Sequence, residues 1–113
     1  MFVPAVDVCE QPTEIVILVD MPGVDRRDVR ISWKDQVLTI VGQKRQECDP
    51  NARFMCVERS YGAFRREIAI GIAVDHRRAT AELREGLMRI HLPKLAETSE
   101  PSAITIASPW QEF

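Results

Sequence analysis

Short runs of β-branched and aromatic residues, separated by proline and glycine, constrain this chain more than any other feature of its sequence. Residues 28–33 alternate strictly, with Val29, Ile31 and Trp33 on one side and polar residues on the other. This alternation is typical of a strand with one face in the core and one in water. A helical period is hard to find anywhere in the chain. The sequence therefore predicts an all-β fold.

The same pattern predicts six or seven strands, including residues 14–20, 28–33, 37–41, 64–72, 78–84 and 87–92. The second and third of these form a predicted hairpin, and the last two form another across Glu85-Gly86. Residues 14–20 are apolar on both faces, which places them in the middle of a sheet. Since no helix is available to cover the sheets, we expect an immunoglobulin-like antiparallel β-sandwich.

Length, charge and cysteine content limit the classes of function. A chain of 113 residues forms one domain, and its net charge of −2 argues against an electrostatic grip on nucleic acid or on an anionic membrane. No apolar stretch approaches the roughly 20 residues that span a bilayer, and no export signal is visible. Cys9, Cys48 and Cys56 are odd in number and show no C-x-x-C spacing. We expect reduced thiols and a cytoplasmic location.

Residues 43–60 do not fit a self-contained sandwich, because most connections have only about 4–6 residues. The segment carries an apolar run of Phe54, Met55, Cys56 and Val57. The backbone of such a run needs a sheet edge as its partner, in the same subunit or in a neighbouring one.

The tail beyond Lys94 is the second such segment. A stretch of linker composition is followed by Ile104 and Ile106, which share one face of an extended chain and suit insertion into an apolar groove. We expect this tail to contribute nothing to the core of the sandwich. Trp110 and Phe113 follow in residues 108–113, which match no motif that we can name.

Several segments together resemble the small heat shock protein family, whose fold is the Hsp20 or α-crystallin domain. They are VDMPGV at residues 19–24, VLTIVG at 37–42, ERSYGAFRR at 58–66 and AELREGLM at 81–88. The last is similar to the family signature of an alanine, a glycine five residues later and two aliphatic residues. Ile104-Thr105-Ile106 resembles the C-terminal I-x-I motif of the family. The resemblance covers residues 4–106, and within the family the sequence is similar to the bacterial type.

The resemblance implies a domain division and a dimer. It implies a short N-terminal arm at residues 1–3, an α-crystallin domain at 4–94 and a C-terminal extension at 95–113. The strand around Phe54, Met55, Cys56 and Val57 would cross to a partner and pair with its first strand, which contains Val6 and Val8. Arg65 and Arg66 could be simple surface charges, but the resemblance favours a contact of at least one of them with an acidic group across this interface.

The resemblance also implies a docking site for the tail. Ile104 and Ile106 would bind another dimer, between its strands at residues 28–33 and 78–84. The groove residues on those strands are Ile31, Trp33, Ala79, Ala81 and Leu83. Trp33 is expected to serve mainly as a core residue. With at most three residues before the first strand, we expect smaller assemblies and weaker client holding than the family usually shows.

Two functions are compatible with these features. The first is an ATP-independent holdase chaperone that binds unfolding client proteins as a dimer or as an oligomer of dimers. The second is a module similar to the CS or p23 sandwich, which assists another chaperone. The long loop and the I-x-I tail favour the first.

Catalysis is not expected from this sequence, and neither a cofactor nor a metal site is predicted. His76 and His91 are the only histidines. His91 alternates outward and is interpreted as a solvated strand residue. Cys56 is interpreted as a packed cysteine rather than a nucleophile, since no histidine lies near it in sequence.

Overall fold

The computed structural model describes residues 2–95, 102–104 and 106–107. These residues form nine strands and two short 3-10 helices, η1 and η2, and contain no α-helix. In chain order the elements are β1 Val6–Glu10, β2 Glu14–Asp20, η1 Arg26–Asp28, β3 Val29–Lys34, β4 Val37–Lys44, β5 Gly62–Ala69, η2 His76–Arg78, β6 Thr80–Arg84, β7 Leu87–Pro93, β8 Ser102–Ile104 and β9 Ile106–Ala107.

Two packed sheets make up the fold. One has the strand order β1-β2-β7-β6-β9 and the other has the order β5-β4-β3-β8. All neighbouring strands are antiparallel except β6 and β9, which are parallel. The predicted all-β sandwich of antiparallel sheets is confirmed.

Two strands begin later than their sequence pattern predicts. The carboxylate of Asp25 accepts a hydrogen bond from the backbone N–H of Arg27, and Asp75 does the same for Arg77. An aspartate that binds a backbone amide two residues ahead favours a turn over an extended chain. Each aspartate therefore caps a 3-10 helix, and β3 and β6 begin only after η1 and η2 end.

The bounds of β5 also differ from the prediction, since this strand runs Gly62–Ala69 and not over residues 64–72. Ile70 lies beyond the end of β5 but remains buried, and its N–H donates to the carbonyl of Gln36.

Both predicted hairpins turn through two residues in the left-handed conformation. Asp35 and Gln36 have φ of 52° and 63°, and Glu85 and Gly86 have φ of 52° and 78°. Two positive φ values in succession match the right-handed twist of the flanking strands. These turns set the register, so that Ile31 lies opposite Ile40 and Leu83 opposite Met88.

The core lies between the two sheets and is built from the inward side of each strand. Ile17, Leu38, Ile40, Met88 and Ile90 are fully buried there. Ile104 of the tail belongs to the same cluster and is only 5% exposed. The expectation that the tail contributes nothing to the core is therefore wrong, because β8 extends the second sheet and places Ile104 opposite Ile31.

Gly42 marks a close approach that the packing of β4 requires. A Cβ atom at this position would collide with the carbonyl oxygen of Asp28 and would lie 2.7 Å from Cζ of Phe64. We predict that Gly42→Ala lowers the free energy of unfolding by about 1–3 kcal/mol, since the Asp28 backbone and the buried Phe64 ring must both move.

Gly71→Ala is the matched control for urea unfolding, because a Cβ there meets nothing within 4 Å. Its effect should stay within about 0.5 kcal/mol. Equal stability of the two variants would contradict the close approach at Gly42.

Candidate functional site

The tail docks on β3 of one sheet and β6 of the other, and we call the space between these strands the tail groove. The residues that the sequence predicts for it are Ile31, Trp33, Ala79, Ala81 and Leu83. Within residues 2–95 each of these two strands has a hydrogen-bonded neighbour on one side only. A strand edge of this kind offers unpaired backbone groups to any extended segment that reaches it.

The tail of the same chain occupies this groove. β8 pairs antiparallel with β3 and β9 pairs parallel with β6, so a few consecutive tail residues cover one edge of each sheet. Ile104 lies opposite Ile31, and Ile106 lies opposite Ala81 and is half-buried. The resemblance implied docking on another dimer, whereas in the single chain the tail docks on its own domain. A tethered tail meets its own groove at high effective concentration.

The remaining groove residues lie around this contact. Trp33 pairs through its backbone with Ser102 and is 2% exposed, so it is a core residue. Leu83 is buried, and Ala79 is half-buried against the core. A cavity of about 340 Å³ remains beside both tail isoleucines, walled by Val29, Ile31 and the arginines of η1.

The wall of the tail groove at η1 is charged. Nη1 of Arg26 donates a hydrogen bond of 3.4 Å to the carbonyl oxygen of Ile106. Arg27 donates to both carboxylate oxygens of Asp25, and this side-chain hydrogen bond lowers the pKa of Asp25 to about 2. The wall therefore keeps its charges at any pH near neutrality. Sequence patterns carry no signal for the Arg26 contact, because Arg26 and Ile106 are 80 residues apart.

β1 forms one edge of the five-stranded sheet, and β6 and β9 lie at the opposite edge. Among the described residues it pairs only with β2, with Val6 opposite Val19 and Val8 opposite Ile17. Both valines thus lie on the side of the sheet that faces the core, yet Val8 is 50% exposed. β1 consequently presents unpaired backbone beside an exposed apolar rim. The corresponding edge of β5 is partly covered, because Phe2 packs on Phe64 and donates its N–H to Ala63.

Every residue from 45 to 60 is exposed, and this loop contains no strand. Met55 is 99% exposed, and Phe54 and Val57 are 42% and 56% exposed. The strand expected around Phe54 does not form in the single chain, and Cys56, expected to pack, is exposed. An isolated strand has no partner for its backbone groups and is unstable alone. The structure does not bring this run together with Val6 and Val8 of its own chain.

Arg65 and Arg66 contact groups of their own chain. Nε of Arg65 lies 2.9 Å from a carboxylate oxygen of Glu67, and Arg66 donates a 3.5 Å hydrogen bond to the carbonyl of Pro4. Their expected contacts across a dimer interface remain a prediction.

His91 differs from its sequence-based interpretation. His91 is half-buried, with Nδ1 3.1 Å from Oε1 of Glu14, so it is not a solvated residue. His76 lies in η2 and is only 3% exposed. Within the described ranges, no three His, Cys, Asp or Glu side chains are placed to bind a metal ion, and no helix is long and apolar enough to cross a membrane.

Comparison with known proteins defines the family. The model of the Hsp20/alpha crystallin family matches residues 7–107. The chain is 32% identical over 108 residues to spore protein SP21 of Stigmatella aurantiaca, covering 95% of this chain and 63% of that protein. This chain therefore belongs to the Hsp20/alpha-crystallin family, and the resemblance inferred from sequence is confirmed. The chain spans less than two thirds of the length of this relative.

Solved structures support the same assignment. Heat shock protein 16.0 from Schizosaccharomyces pombe superposes with a TM-score of 0.79 at 30% identity, over 93% of this chain and 100% of that chain. A small heat-shock protein from Xylella fastidiosa, described as having a distinct high order structure, superposes with a TM-score of 0.75 at 33% identity, over 87% and 91% of the two chains.

The two tail isoleucines are buried to different extents, so we expect them to contribute unequally to stability. We expect Ile104→Ala to lower the free energy of unfolding by about 2 kcal/mol, because it leaves a cavity against Ile31. Ile106→Ala removes a half-buried side chain and should cost less than about 1 kcal/mol. Urea unfolding monitored by circular dichroism measures both. Equal or reversed costs would show that the tail is not held in its groove in this way.

Proposed function

We propose that this chain is an ATP-independent holdase that binds unfolding proteins and limits their aggregation, working as a dimer or an oligomer of dimers. Family membership supports a chaperone role. The observation that carries the finer proposal is the exposed apolar run around Met55, together with the open edge of β1. Each of these features needs a partner that the single chain does not supply.

Strand exchange between two copies satisfies both needs. Residues 54–58 of one chain are long enough to pair with the five residues of β1 in the other. Pairing would cover the backbone edge of β1, and it would bury Val8 against the apolar side chains of the loop. Burying one large apolar side chain contributes roughly 1.5–3 kcal/mol. Arg65 and Arg66 lie on β5, where the loop ends, and are our candidates for charged contacts in that interface.

The tail groove supplies a second apolar surface. We propose residues 4–94 as the domain and residues 95–113 as an extension whose isoleucines bind reversibly. A tail that leaves its groove exposes Ile31 and the edges of β3 and β6 to an unfolding client or to the tail of a neighbouring dimer. Binding by exposed strand edges needs complementary backbone and apolar side chains, and it involves no nucleotide.

The first test of the proposal concerns the dimer. We expect the double variant Met55→Asp and Val57→Asp to be monomeric at micromolar concentration, because burying each aspartate in the interface is costly. A loss of about 3 kcal/mol would raise the dissociation constant more than a hundredfold. Native mass spectrometry or light scattering measures the mass.

The control variant carries the same added charge at other positions of the same loop. Asn51→Asp and Ala52→Asp are both exposed positions in that loop. This control should remain dimeric. A dimeric Met55/Val57 variant would place the interface elsewhere, and a monomeric parent would favour the p23-like alternative.

The second test concerns client holding. We expect the parent to suppress heat-induced aggregation of a model client without nucleotide and to be unaffected by ATP, measured by light scattering. The double variant Ile104→Gly, Ile106→Gly removes the side chains that hold the tail in its groove. If the groove binds clients, this variant should suppress aggregation at least as well as the parent does. A strict requirement for ATP would refute the holdase proposal.

A further inference from the structure

Two positively charged side chains from different parts of the chain meet beside Gly23, and we call Lys44 and Arg59 the cation pair. Lys44 ends β4, and Arg59 lies in the loop just before β5. A Cβ atom built on Gly23 would lie 3.7 Å from Nζ of Lys44 and 3.4 Å from Nη2 of Arg59. The guanidinium of Arg59 also lies 5.4 Å from the ring centroid of Tyr61. Both charged groups therefore lie close to one point of the backbone.

Lys44 is only 9% exposed, which is rare for a lysine. It has the same parity on β4 as Leu38 and Ile40, so its side chain leaves the strand on the core side. A lysine in such a position usually lays its aliphatic stem along apolar groups and keeps its ammonium group in water. Here little of the side chain reaches water, and Nζ lies 6.0 Å from the ring centroid of Phe2.

Neither member of the cation pair forms an ion pair with a described residue of its own chain. A neighbouring cavity, which Gly23 also lines, contains two aspartates. These carboxylates are bound to other arginines, Asp25 to Arg27 and Asp28 to Arg45. Glu47 lines the same cavity and forms no ion pair with either cation. A buried charge without a counter-charge is unfavourable, and a second charge of the same sign nearby adds repulsion.

We propose that the cation pair binds an oxyanion beside Gly23. The oxygens of a phosphate or carboxylate group accept charge-assisted hydrogen bonds of about 2.7–2.9 Å from ammonium and guanidinium groups, so one such group can contact both cations. Gly23 has no side chain to block a close approach, and both Gly23 and Arg59 are exposed, so an anion can reach the site from solution. Two sources supply this chemistry: a free phosphate, or a carboxylate of a second copy of the chain.

Thermal unfolding of the full chain in inorganic phosphate tests the free source, with sodium chloride used to hold the ionic strength constant. We expect phosphate to raise the midpoint of unfolding by several degrees and then to reach a plateau, because an anion that binds only the folded state stabilises it. Phosphate also stabilises folded proteins in general through its exclusion from their surface, but that effect grows steadily with concentration. The saturable part of the rise is therefore the signal.

Lys44→Met removes the buried charge and keeps an unbranched side chain. The saturable rise should be lost, and in chloride alone this variant should unfold at no lower temperature than the parent, because an apolar group replaces a buried charge that lacks a counter-charge. Arg59→Gln changes an exposed residue, so the sandwich should stay folded while the affinity for phosphate falls several-fold. Lys34→Met is the matched control, since Lys34 is exposed at the end of β3 and loses the same charge. Its response should equal that of the parent.

The mass in solution tests the second source. If a carboxylate of a second copy fills the site, phosphate competes with it and shifts the mass towards the monomer, and Lys44→Met weakens the dimer several-fold while Lys34→Met does not. A free anion leaves the mass unchanged. The proposal is overturned if Lys44→Met and Lys34→Met show the same phosphate response and the same mass. Neither readout involves a client, so the site can fail while the holdase proposal stands, or the reverse.

Discussion

Unpaired backbone at strand edges is the constraint on which the rest of this structure depends. A sandwich of two open sheets has four edges, and each edge carries N–H and C=O groups that need partners. In this chain the tail covers β3 and β6, and Phe2 partly covers β5. The edge of β1 has no such cover within the described residues. The two candidate interaction surfaces are therefore consequences of how the sheets end.

Apolar side chains lie beside these strand edges. Ile104 and Ile106 accompany backbone pairing at the covered edges, and Val8 lies beside the open one. Pairing of backbone groups gives little selectivity by itself, whereas pockets for alternate side chains provide it. A surface that combines a strand edge with a few apolar positions suits partners of many sequences, as expected for a chaperone of unfolding proteins.

Sequence reasoning succeeded where the physical signal is local. Strict alternation in residues 28–33 predicted which side of β3 is buried. Alternate side chains of a strand lie on the same face, so an apolar face can only be the one that packs in the core. The bounds of β3 and β6 were less accurate, since Asp25 and Asp75 compete for backbone amides through their side chains. That competition is visible only when the hydrogen bonds are known.

The site was harder to predict, because its contacts join segments that lie far apart in the chain. The I-x-I pattern identified the tail and its groove, but no pattern shows whether a tail docks on its own domain or on a neighbour. The exposure of Cys56 has the same origin, since a strand without a partner cannot bury its side chains. The contact of Arg26 with Ile106 arises only after the two sheets have packed.

The order of synthesis adds a consequence to the position of β8 and β9. The ribosome synthesises a chain from its amino terminus at about 5–20 residues per second, and the chain begins to fold as it emerges. β3 and β6 are complete before any residue of the tail has been made, so a nascent chain carries both edges uncovered. During that interval these edges have no tail to pair with and are open to pairing with neighbouring nascent chains. Translation thus creates a brief period in which this chain has the same exposed strand edges as the unfolding proteins it is proposed to bind.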